Sequence, residues 1–408
     1  MWKMHSIARV AAPRRVLTRC HSKRFEVSVT ARSRGIITSA KPPRLILGIE
    51  TSCDDSCASV VSSDRNILSD IVTKQDHSTT GGIHPLSAAL GHHANIAPTI
   101  AAAIDQAQIA ASDLDAIAVT QGPGMASSLG VGLSAAKTLS AVLRKPLIYV
   151  HHMQAHALTP LLTEADPPQF PFLVLLVSGG HTMLVLARSV TDFEILATTS
   201  DDSIGDAFDK VARDLGIPWT SAPGAALETL AAEAEATDNQ QIFPVPRRGQ
   251  PGFSYSGLKA AVQRHIESQQ TDGKMATSKA LIAAAFQRAA CAQLEDKLGM
   301  VLRPSHHEQD ARRRPYSRIK LPDGVNGDDI KTVVCSGGVA SNAFIRARLR
   351  EHLDDLGRQD VDLQFPPLPL CTDNAAMIAW TGHLIFEQCT KDYTRHARPK
   401  WSMEDIPR

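Results

Sequence analysis

The feature that most constrains the fold of this 408-residue chain is a repeated strand–turn–strand pattern. Near residues 45–61, the apolar run LILGIE is followed by the polar turn TSCDD and a second apolar run, CASVV. Near residues 172–187, the segments FLVLLV, SGGHT and MLVLA repeat that order. Short apolar runs around a polar turn are typical of paired, buried strands. A chain that opens with two strands is unlike Rossmann and P-loop folds, which open with a strand and a helix.

Two copies of one unit predict two related lobes. Such a duplication is typical of the actin and sugar-kinase architecture, in which the lobes close on a nucleotide. We therefore predict an α/β chain with an actin-like ATPase fold, consisting of two duplicated lobes of mixed sheet with flanking helices around a central cleft. The predicted parts are lobe I at 44–165 with a long helix at 92–107, a C-terminal helix at 373–390 that completes lobe I, and lobe II at 166–372 with a surface insertion at about 302–329.

The first 43 residues differ in charge from the rest of the chain. They contain ten Lys or Arg and one acid, Glu26, and so carry +9, whereas the whole chain carries +1. An acid-poor, Arg-rich segment without a continuous apolar core is typical of a mitochondrial presequence. We predict import into the mitochondrial matrix; the alternative is a disordered basic arm that contacts nucleic acid. The remaining chain carries about −8, so any RNA contact must use local basic patches.

Cysteine usage and hydropathy agree with that compartment. The seven cysteines are odd in number and scattered without a CxxC pair, so we predict reduced thiols instead of a disulfide framework. No apolar run approaches the ~20 residues of a membrane span. We therefore predict no membrane partner.

A pair of histidines predicts a metal site. His152 and His156 lie four residues apart, on one face of a helix, where two imidazoles can hold one divalent cation. Asp373 follows a Pro-rich loop and is predicted to open another helix and add a carboxylate. Three protein ligands leave coordination positions open, as catalytic sites require. The alternative is a histidine pair on a buried helix without a metal.

Three glycine-rich turns follow buried strands, at 121–124, 178–180 and 336–338. Glycine pairs let backbone N–H groups approach an anion, although each turn alone is also explained as a tight turn. Asp209 and Glu228 suit a ribose diol, because a carboxylate accepts hydrogen bonds from hydroxyls. The alternative for both acids is a solvated charge on a helix.

Eight ordered motifs in this chain resemble one known family, the tRNA threonylcarbamoyladenosine transferases, formerly called O-sialoglycoprotein endopeptidases. The motifs are GIETSCDDS at 48–56, TQGPGMASSLGVG at 120–132, VHHMQAH at 150–156, LLVSGGHT at 175–182, GDAFDKVAR at 205–213, FSYSGLK at 253–259, CSGGVASN at 335–342 and PPLPLCTDNAAMIAW at 366–380. With its basic N-terminal segment, the chain most resembles the mitochondrial, single-subunit branch, and its insertion and short C-terminus resemble fungal members.

The resemblance implies a reaction and its partners. The implied reaction moves a threonylcarbamoyl group from threonylcarbamoyl-AMP, made by a separate synthase, to N6 of the adenosine 3′ of the anticodon in tRNAs that read ANN codons. One divalent cation, iron or zinc by the preference of imidazole ligands, is implied at His152, His156 and Asp373. The single-subunit branch implies a homodimer.

The resemblance also implies which residues contact the substrate. They are Leu176, Val177, Ser178, Gly179, Gly180, Asp209, Gly224, Glu228, Ser341, Asn342 and Thr372. Thr372 is alternatively a helix N-cap. Asp54, in the first turn, is the predicted base for the adenine amine. Because AMP is a good leaving group, positioning and charge stabilisation should dominate the catalysis.

Three other functions are compatible with parts of this pattern. A metalloprotease needs a general base such as the Glu of HExxH, but Met153 follows His152 here, so we reject that function. A small-molecule kinase or ATPase would hold Mg²⁺ through carboxylates and phosphates instead of imidazoles. A non-enzymatic, actin-like assembly protein has no need of an open metal site.

Two basic clusters are candidates for a tRNA surface. The first combines Arg247 and Arg248 with Lys259 of the FSYSGLK motif. The second is a helical set, Arg346, Arg348 and Arg350, for which a solvated helix face is an equal alternative. We favour the first cluster because it lies in a loop near the predicted pocket.

Overall fold

Two five-stranded mixed sheets organise the part of the chain that the structure describes. The computed structural model describes residues 42–77, 82–218, 222–234, 242–271, 274–275, 278–304 and 318–408, and Pro43–Arg408 belong to one compact unit. The strands are β1 (Leu45–Glu50), β2 (Ser56–Ser62), β3 (Ile67–Thr73), β4 (Ala116–Gly122), β5 (Leu147–His151), β6 (Phe172–Val177), β7 (Thr182–Ala187), β8 (Phe193–Thr198), β9 (Gln270–Thr271), β10 (Lys274–Met275), β11 (Thr332–Ser336) and β12 (Asp362–Gln364).

The two large sheets share one topology. The first has the order β3-β2-β1-β4-β5, and the second has the corresponding order β8-β7-β6-β11-β12. In the first sheet β1, β2 and β3 pair antiparallel, and β4 and β5 continue the sheet beside β1 as parallel strands. In the second sheet β6, β7 and β8 pair antiparallel, and β11 and β12 continue the sheet beside β6 as parallel strands. The strand–turn–strand units predicted from the sequence are therefore β1–β2 and β6–β7. The carboxyl ends of the parallel strands form one edge of each sheet, which is where open α/β sheets bind ligands.

Eleven helices flank these sheets in the described residues. They are α1 (Pro85–Ala107), α2 (Ala126–Leu143), α3 (His152–Leu158), α4 (Pro160–Thr163), α5 (Ile204–Asp214), α6 (Pro223–Ala232), α7 (Ser256–Gln269), α8 (Lys279–Leu302), α9 (Ala343–Asp355), α10 (Leu368–Cys371) and α11 (Ala375–Leu384). By length and composition, α2 is the one described helix that could cross a membrane. Its buried residues, including Val131 and Leu133, pack with Leu47 and Ile49 of β1 as in a core helix.

Helices cover both faces of each sheet. In the first sheet α1 and α2 pack on one face and α11 on the other, so that β1 and β4 are buried on both sides. Helices α5 to α9 cover one face of the second sheet. Helix α3 lies between the sheets: Ala155 packs with the first core, and Met153 and Leu158 pack with the second. Each fully buried aliphatic side chain contributes about 1.5–3 kcal/mol.

Three predicted boundaries are wrong. Helix α1 begins at Pro85, not at 92, because proline is well placed in the first turn of a helix. The C-terminal helix spans Ala375–Leu384 instead of 373–390, because the Asn374 side chain accepts from the backbone N–H of Met377 and caps it. The surface insertion is shorter than 302–329: Leu302 ends α8 and is fully buried, and Ile319 also belongs to the second core. Residues 305–317 lie outside the described part.

The last residues of the chain form an extended segment across both sheets, here named the C-terminal strap (residues 390–408). Thr390 pairs with Leu147 at the start of β5, and the Arg398 N–H donates to Gln121 O at 2.8 Å. Further along, a Glu404 carboxylate oxygen accepts from the Ile195 N–H at 3.0 Å, on the edge strand β8. The strap therefore contacts the turn after β4 in the first sheet and the outer strand of the second.

Candidate functional site

The predicted metal ligands meet where α3 begins. Helix α3 follows β5 directly, and the His151 side chain caps it by accepting from the Gln154 N–H at 3.3 Å. His152 and His156 are buried on one face, with ring centroids 4.7 Å apart. Asp373 Oδ1 lies 3.4 Å from His152 Nε2 and 3.1 Å from His156 Nε2. One ligand atom from each of the three residues lies within 4.8 Å of the others.

Asp373 does not open a helix, contrary to the sequence prediction. It lies in the turn between α10 and α11, where Asn374 is the cap. The Asn374 amide also donates to Thr372 O at 2.9 Å and to Leu370 O at 3.2 Å, which fixes this turn. Asn374 therefore occupies the N-cap position that the sequence allowed for Thr372, and it holds the Asp373 carboxylate toward α3.

Glu50 is a site residue that the sequence analysis missed. It ends β1, is fully buried, and places Oε2 at 3.2 Å from His152 Nδ1. Its carboxylate also accepts from the Ser52 N–H and the Thr120 hydroxyl. A carboxylate on the far nitrogen of a ligating histidine fixes the ring orientation and tautomer. A buried acid that closes an otherwise apolar strand was the one signal in the sequence that could have found it.

The charges of this cluster depend on one another. Burial lowers the pKa of His152, but Glu50 and Asp373 outweigh burial and raise that pKa to about 10. Burial raises the pKa of both carboxyls, but His152 outweighs it and holds both pKa values below their usual range. Burial lowers the pKa of His156. The two carboxylates therefore stabilise positive charge between them, and a divalent cation can supply that charge in place of protons.

The donor set fits a divalent cation. Two imidazole nitrogens and one carboxylate oxygen are ligands that zinc and iron accept, and they leave further positions open. Among the described residues no other group of three His, Cys, Asp or Glu side chains has this arrangement. The six described cysteines form no disulfide with one another, and none of them belongs to this group.

The predicted base, Asp54, lies in the turn between β1 and β2. Its Oδ2 is 3.4 Å from His77 Nε2, and this side chain is about a quarter exposed. His92 fixes the same turn by two hydrogen bonds. Its ring nitrogens lie 2.7 Å from Ser56 Oγ and 2.9 Å from Cys53 O. Asp54 is thus a partly open carboxylate on a well-fixed turn.

Two of the three glycine-rich turns lie side by side, as an anion site requires. A β-carbon at Gly337, where φ is +103°, would lie 2.3 Å from Val177 O, so the turn after β11 can only rest on the end of β6 without a side chain. Gly179 and Gly180 face open space. The N–H groups of Gly180 and His181 donate to Ser178 Oγ at 3.3 and 3.0 Å. The Ser178 turn is therefore pre-shaped by its own hydroxyl.

The third glycine-rich turn, at 121–124, does not form an anion site in this structure. A β-carbon at Gly122 would lie 1.9 Å from Arg398 O, and the Gly124 N–H donates to Pro399 O at 3.2 Å. The Met125 N–H donates to Ser52 O at 2.8 Å. These glycines allow the C-terminal strap and the first turn to approach closely, which is the tight-turn alternative.

Further predicted substrate residues lie around the paired turns at 178–180 and 336–338. Asp209 accepts from the Gly224 N–H at 3.1 Å, and burial raises the Asp209 pKa to about 6. Glu228 accepts from the Ala343 N–H at 2.7 Å, next to Ser341 and Asn342. Both acids are therefore placed by backbone contacts and are not simply solvated helix charges.

Three of the implied substrate residues offer no free side chain. Leu176 and Val177 are fully buried in the cores on either side of β6. The Asn342 side chain is buried too, where it accepts from the Ile345 N–H at 2.9 Å and donates to Gln287 Oε1 at 3.0 Å. These residues can meet a ligand through their main chain only, because burial and internal hydrogen bonds occupy their side chains.

The two basic clusters differ in how their charges are used. Arg348 pairs with Glu295 at 3.0 Å, and Arg350 pairs with Asp354 at 2.8 Å. Arg247 and Arg248 are both exposed, and the Arg247 guanidinium donates to Pro251 O at 3.1 Å. Lys259 of the first cluster pairs with Asp202, whereas Arg346 of the second cluster has no carboxylate at ion-pair distance within the described residues. The exposed charges of the first cluster are therefore those of Arg247 and Arg248.

The sheet topology and a similar solved structure identify the fold class of the chain. Full-length HypF, in its phosphate- and nucleotide-bound form, has a similar fold with a TM-score of 0.52 and 14% sequence identity, over 85% of this chain and 56% of that one. The duplicated mixed sheets and this likeness place the chain in the actin-like ATPase fold, as predicted.

Sequence comparison then identifies the family. The family profile described as TsaD, tRNA N6-adenosine threonylcarbamoyltransferase, matches residues 66–380. A relative of that name from Erythrobacter litoralis is 39% identical over 370 residues, which cover 88% of this chain and 96% of the relative. A probable mitochondrial tRNA N6-adenosine threonylcarbamoyltransferase from Arabidopsis thaliana is 37% identical over 380 residues, which cover 88% and 75%. The chain belongs to this family of tRNA-modifying transferases.

Proposed function

We propose that this transferase moves the threonylcarbamoyl group of threonylcarbamoyl-AMP to N6 of the adenosine 3′ of the anticodon in mitochondrial tRNAs that read ANN codons. The observation that best supports this substrate is the continuity between a cation-binding and an anion-binding region. Thr372, which precedes Asp373, has its methyl group 3.8 Å from the position that a β-carbon of Gly338 would occupy. An acyl phosphate has an acyl oxygen for the first region and a phosphate for the second.

We propose iron or zinc as the cofactor, held by His152, His156 and Asp373. When bound, the ion supplies Lewis-acid polarisation to the group that is transferred. Glu50 supports this assignment, because its contact with His152 Nδ1 directs Nε2 of that ring toward Asp373.

In the proposed reaction the chain positions two reactants and accepts one proton. The N6 amine attacks the carbamoyl carbon, a C–N bond forms, the C–O bond to the AMP phosphate breaks, and N6 loses a proton. We assign that proton to Asp54, whose pairing with His77 keeps the carboxylate in place. The turns at 178–180 and 336–338 would hold the leaving phosphate through the backbone N–H groups of Gly179, Gly337 and Gly338, because the Ser178 and Gly180 N–H groups already donate within their own turn. Asp209 and Glu228 would hold the ribose hydroxyls.

We propose a homodimer that uses the start of α1. Leu86 and Leu90 lie one turn apart on α1 and are 63% and 62% exposed, and Ile83 just before the helix is 45% exposed. Exposed apolar side chains on one helical face are typical of a surface that another protein covers. The family resemblance to single-subunit enzymes supports a second copy of this chain as that protein.

We propose that the chain works in the mitochondrial matrix, as a single-subunit and fungal-type member of the family. The basic, acid-poor residues 1–43 support a presequence that is removed after import. The mitochondrial relative from Arabidopsis thaliana supports the same compartment. A separate synthase would supply threonylcarbamoyl-AMP there.

The test is reconstitution of the reaction from purified components. The full chain, loaded with zinc or iron, is incubated with threonylcarbamoyl-AMP and unmodified tRNA, and the nucleosides are analysed by mass spectrometry. We expect N6-threonylcarbamoyladenosine at the position 3′ of the anticodon, and none with the His152→Ala variant. Hydrolysis of ATP without any modified nucleoside would instead support the kinase or ATPase alternative and refute the proposal.

A further inference from the structure

One arginine on α9 is used differently from its neighbours. Arg348 and Arg350 pair with carboxylates, whereas Arg346 has no carboxylate at ion-pair distance within the described residues. Its partners are a carbonyl, a thiol and an aromatic ring. The half-buried guanidinium is thus held by neutral partners alone, and its hydrogen bonds and ring contact offset the cost of desolvating the charge.

The contacts of Arg346 join two functional segments. Its Nε–H donates to Ala340 O at 2.6 Å, inside the short helical turn Gly338–Ser341 that follows β11. Its other end donates to Cys371 Sγ at 3.5 Å, and the guanidinium lies 4.4 Å from the centre of the Phe365 ring. Arg346 therefore touches the anion-binding turn at one end and the segment that leads to Asp373 at the other.

The segment from Phe365 to Cys371 links the Arg346 contact to Asp373. Cys371 donates in turn to Pro366 O at 3.2 Å, so the residues between Phe365 and Cys371 form one packed unit. Asp373 follows after one residue, and Asn374 fixes that turn. A shift of the Gly338–Ser341 turn would accordingly move the Asp373 carboxylate relative to the two histidines.

We propose that Arg346 is a positioning residue that couples anion binding at the Gly338–Ser341 turn to metal binding at His152, His156 and Asp373. Either ligand then favours the arrangement that the other requires, and linkage makes the effect equal in both directions. The identity of the anion as an adenylate rests on the proposed function.

The experiment measures this coupling directly. Zn²⁺ is titrated into the metal-free full chain against a chelating dye, with and without saturating AMP. We expect AMP to tighten Zn²⁺ binding about tenfold in the parent protein and by less than about twofold in Arg346→Met, while each ligand alone still binds. The matched control, Arg348→Met, removes a charged side chain from the same helix and should keep the parental ratio.

A purely structural role would lower the melting temperature and leave the ratio unchanged, because every molecule that remains folded would still couple the two ligands. Arg346→Lys keeps the charge but cannot span the carbonyl and the thiol together, so it should also lose the coupling. It serves as the test if Arg346→Met fails to fold. The proposal is overturned if the parent shows no effect of AMP on Zn²⁺ affinity, or if either Arg346 variant keeps the parental ratio. A parent that couples AMP and Zn²⁺ but does not modify tRNA would refute the proposed function alone.

Discussion

The two strand–turn–strand units have the same topology and opposite chemistry. The first-lobe turn, between β1 and β2, consists of polar and acidic residues and is held by buried His92. The second-lobe turn, between β6 and β7, contains Gly179 and Gly180, which face open space. Glu50 and Asp54 place carboxylates in the first turn region, whereas the second turn, Ser178 to His181, contains no acidic residue.

The comparison shows how two copies of one structural unit can favour ligands of opposite charge. Carboxylates and imidazoles gather where positive charge is stabilised, and glycine-rich backbone gathers where a phosphate can approach. Helix α3 brings the two together because it packs on both sheets. The chemical difference between the two turns therefore lies in their sequences, because their topology is the same.

The largest expected effect on the transfer rate comes from replacing the histidines that we predict to bind the cation. His152→Ala and His156→Ala should each lose the metal and lower the transfer rate by at least about 10³-fold, since Lewis-acid stabilisation is worth several kcal/mol. Elemental analysis and the nucleoside assay measure the two effects. His93→Ala, an exposed histidine on α1, is the control. Full metal occupancy in the His152 and His156 variants would mean that the ion binds elsewhere.

The next prediction distinguishes an effect on stability from an effect on substrate binding in the two glycine-rich turns of the second sheet. Gly337→Ala should destabilise the protein by about 1–3 kcal/mol, because φ is +103° and a β-carbon would meet Val177 O. Gly179→Ala has room for its methyl group and should keep the melting temperature. It should nevertheless raise the KM for threonylcarbamoyl-AMP about tenfold, because a β-carbon hinders the approach of phosphate to the backbone. Equal KM values for parent and Gly179→Ala would remove this turn from the anion site.

A smaller effect tests where tRNA binds relative to the two turns. Arg247→Ala/Arg248→Ala should weaken tRNA binding and flatten its salt dependence, by roughly 0.7–0.9 in log–log slope for each phosphate that the variant no longer neutralises. The control is Arg348→Ala/Arg350→Ala, whose charges are already paired with carboxylates. Filter binding across a range of salt concentrations measures both. Parental affinity and slope in the first variant would exclude this loop from the RNA surface.

The smallest effect concerns Asp70, a half-buried acid of the first sheet that lies away from the metal site. Burial raises the pKa of Asp70 on β3 to about 6, and its Oδ1 has no hydrogen-bond partner within the described residues. A folded pKa above the unfolded value of about 3.9 means that this acid costs stability as the pH rises through 4 to 6. Asp70→Asn should therefore stabilise the protein by about 1–2 kcal/mol at pH 8 and by little at pH 4.

Urea denaturation at the two pH values measures this difference. Asp105→Asn, at an exposed position on α1, is the matched control and should follow the parent at both. A gain at pH 8 that persists at pH 4 would assign the effect to something other than the charge of Asp70.

Local patterns predicted the parts of this structure that depend on neighbouring residues. The apolar runs gave β1, β2, β6 and β7, and the four-residue spacing of His152 and His156 gave one helical face. Both depend on periodicity, which is present in a short window of sequence. The duplicated sheet order followed because the two units repeat in the chain.

Apart from the meeting of Asp373 with His152 and His156, contacts between distant residues were not predicted in that way. Glu50 and His152 are 102 positions apart, and the sequence around either residue does not indicate that the two side chains are in contact. The glycines at 122 and 124 looked like an anion-binding turn, but the strap residues Arg398 and Pro399 cover them. Arg346 similarly looked like a surface charge until Ala340 and Cys371 were seen at its two ends.

The position of α11 and of the C-terminal strap has a consequence for the order in which the chain folds. Helix α11 covers one face of the first sheet, and the strap closes on the turn after β4, so both belong to the lobe that is synthesised first. Chains usually fold domain by domain from the N-terminus as they leave the ribosome. Here the first sheet keeps one apolar face uncovered until residue 384 has been made. The first lobe to be translated is therefore the last that can be completed.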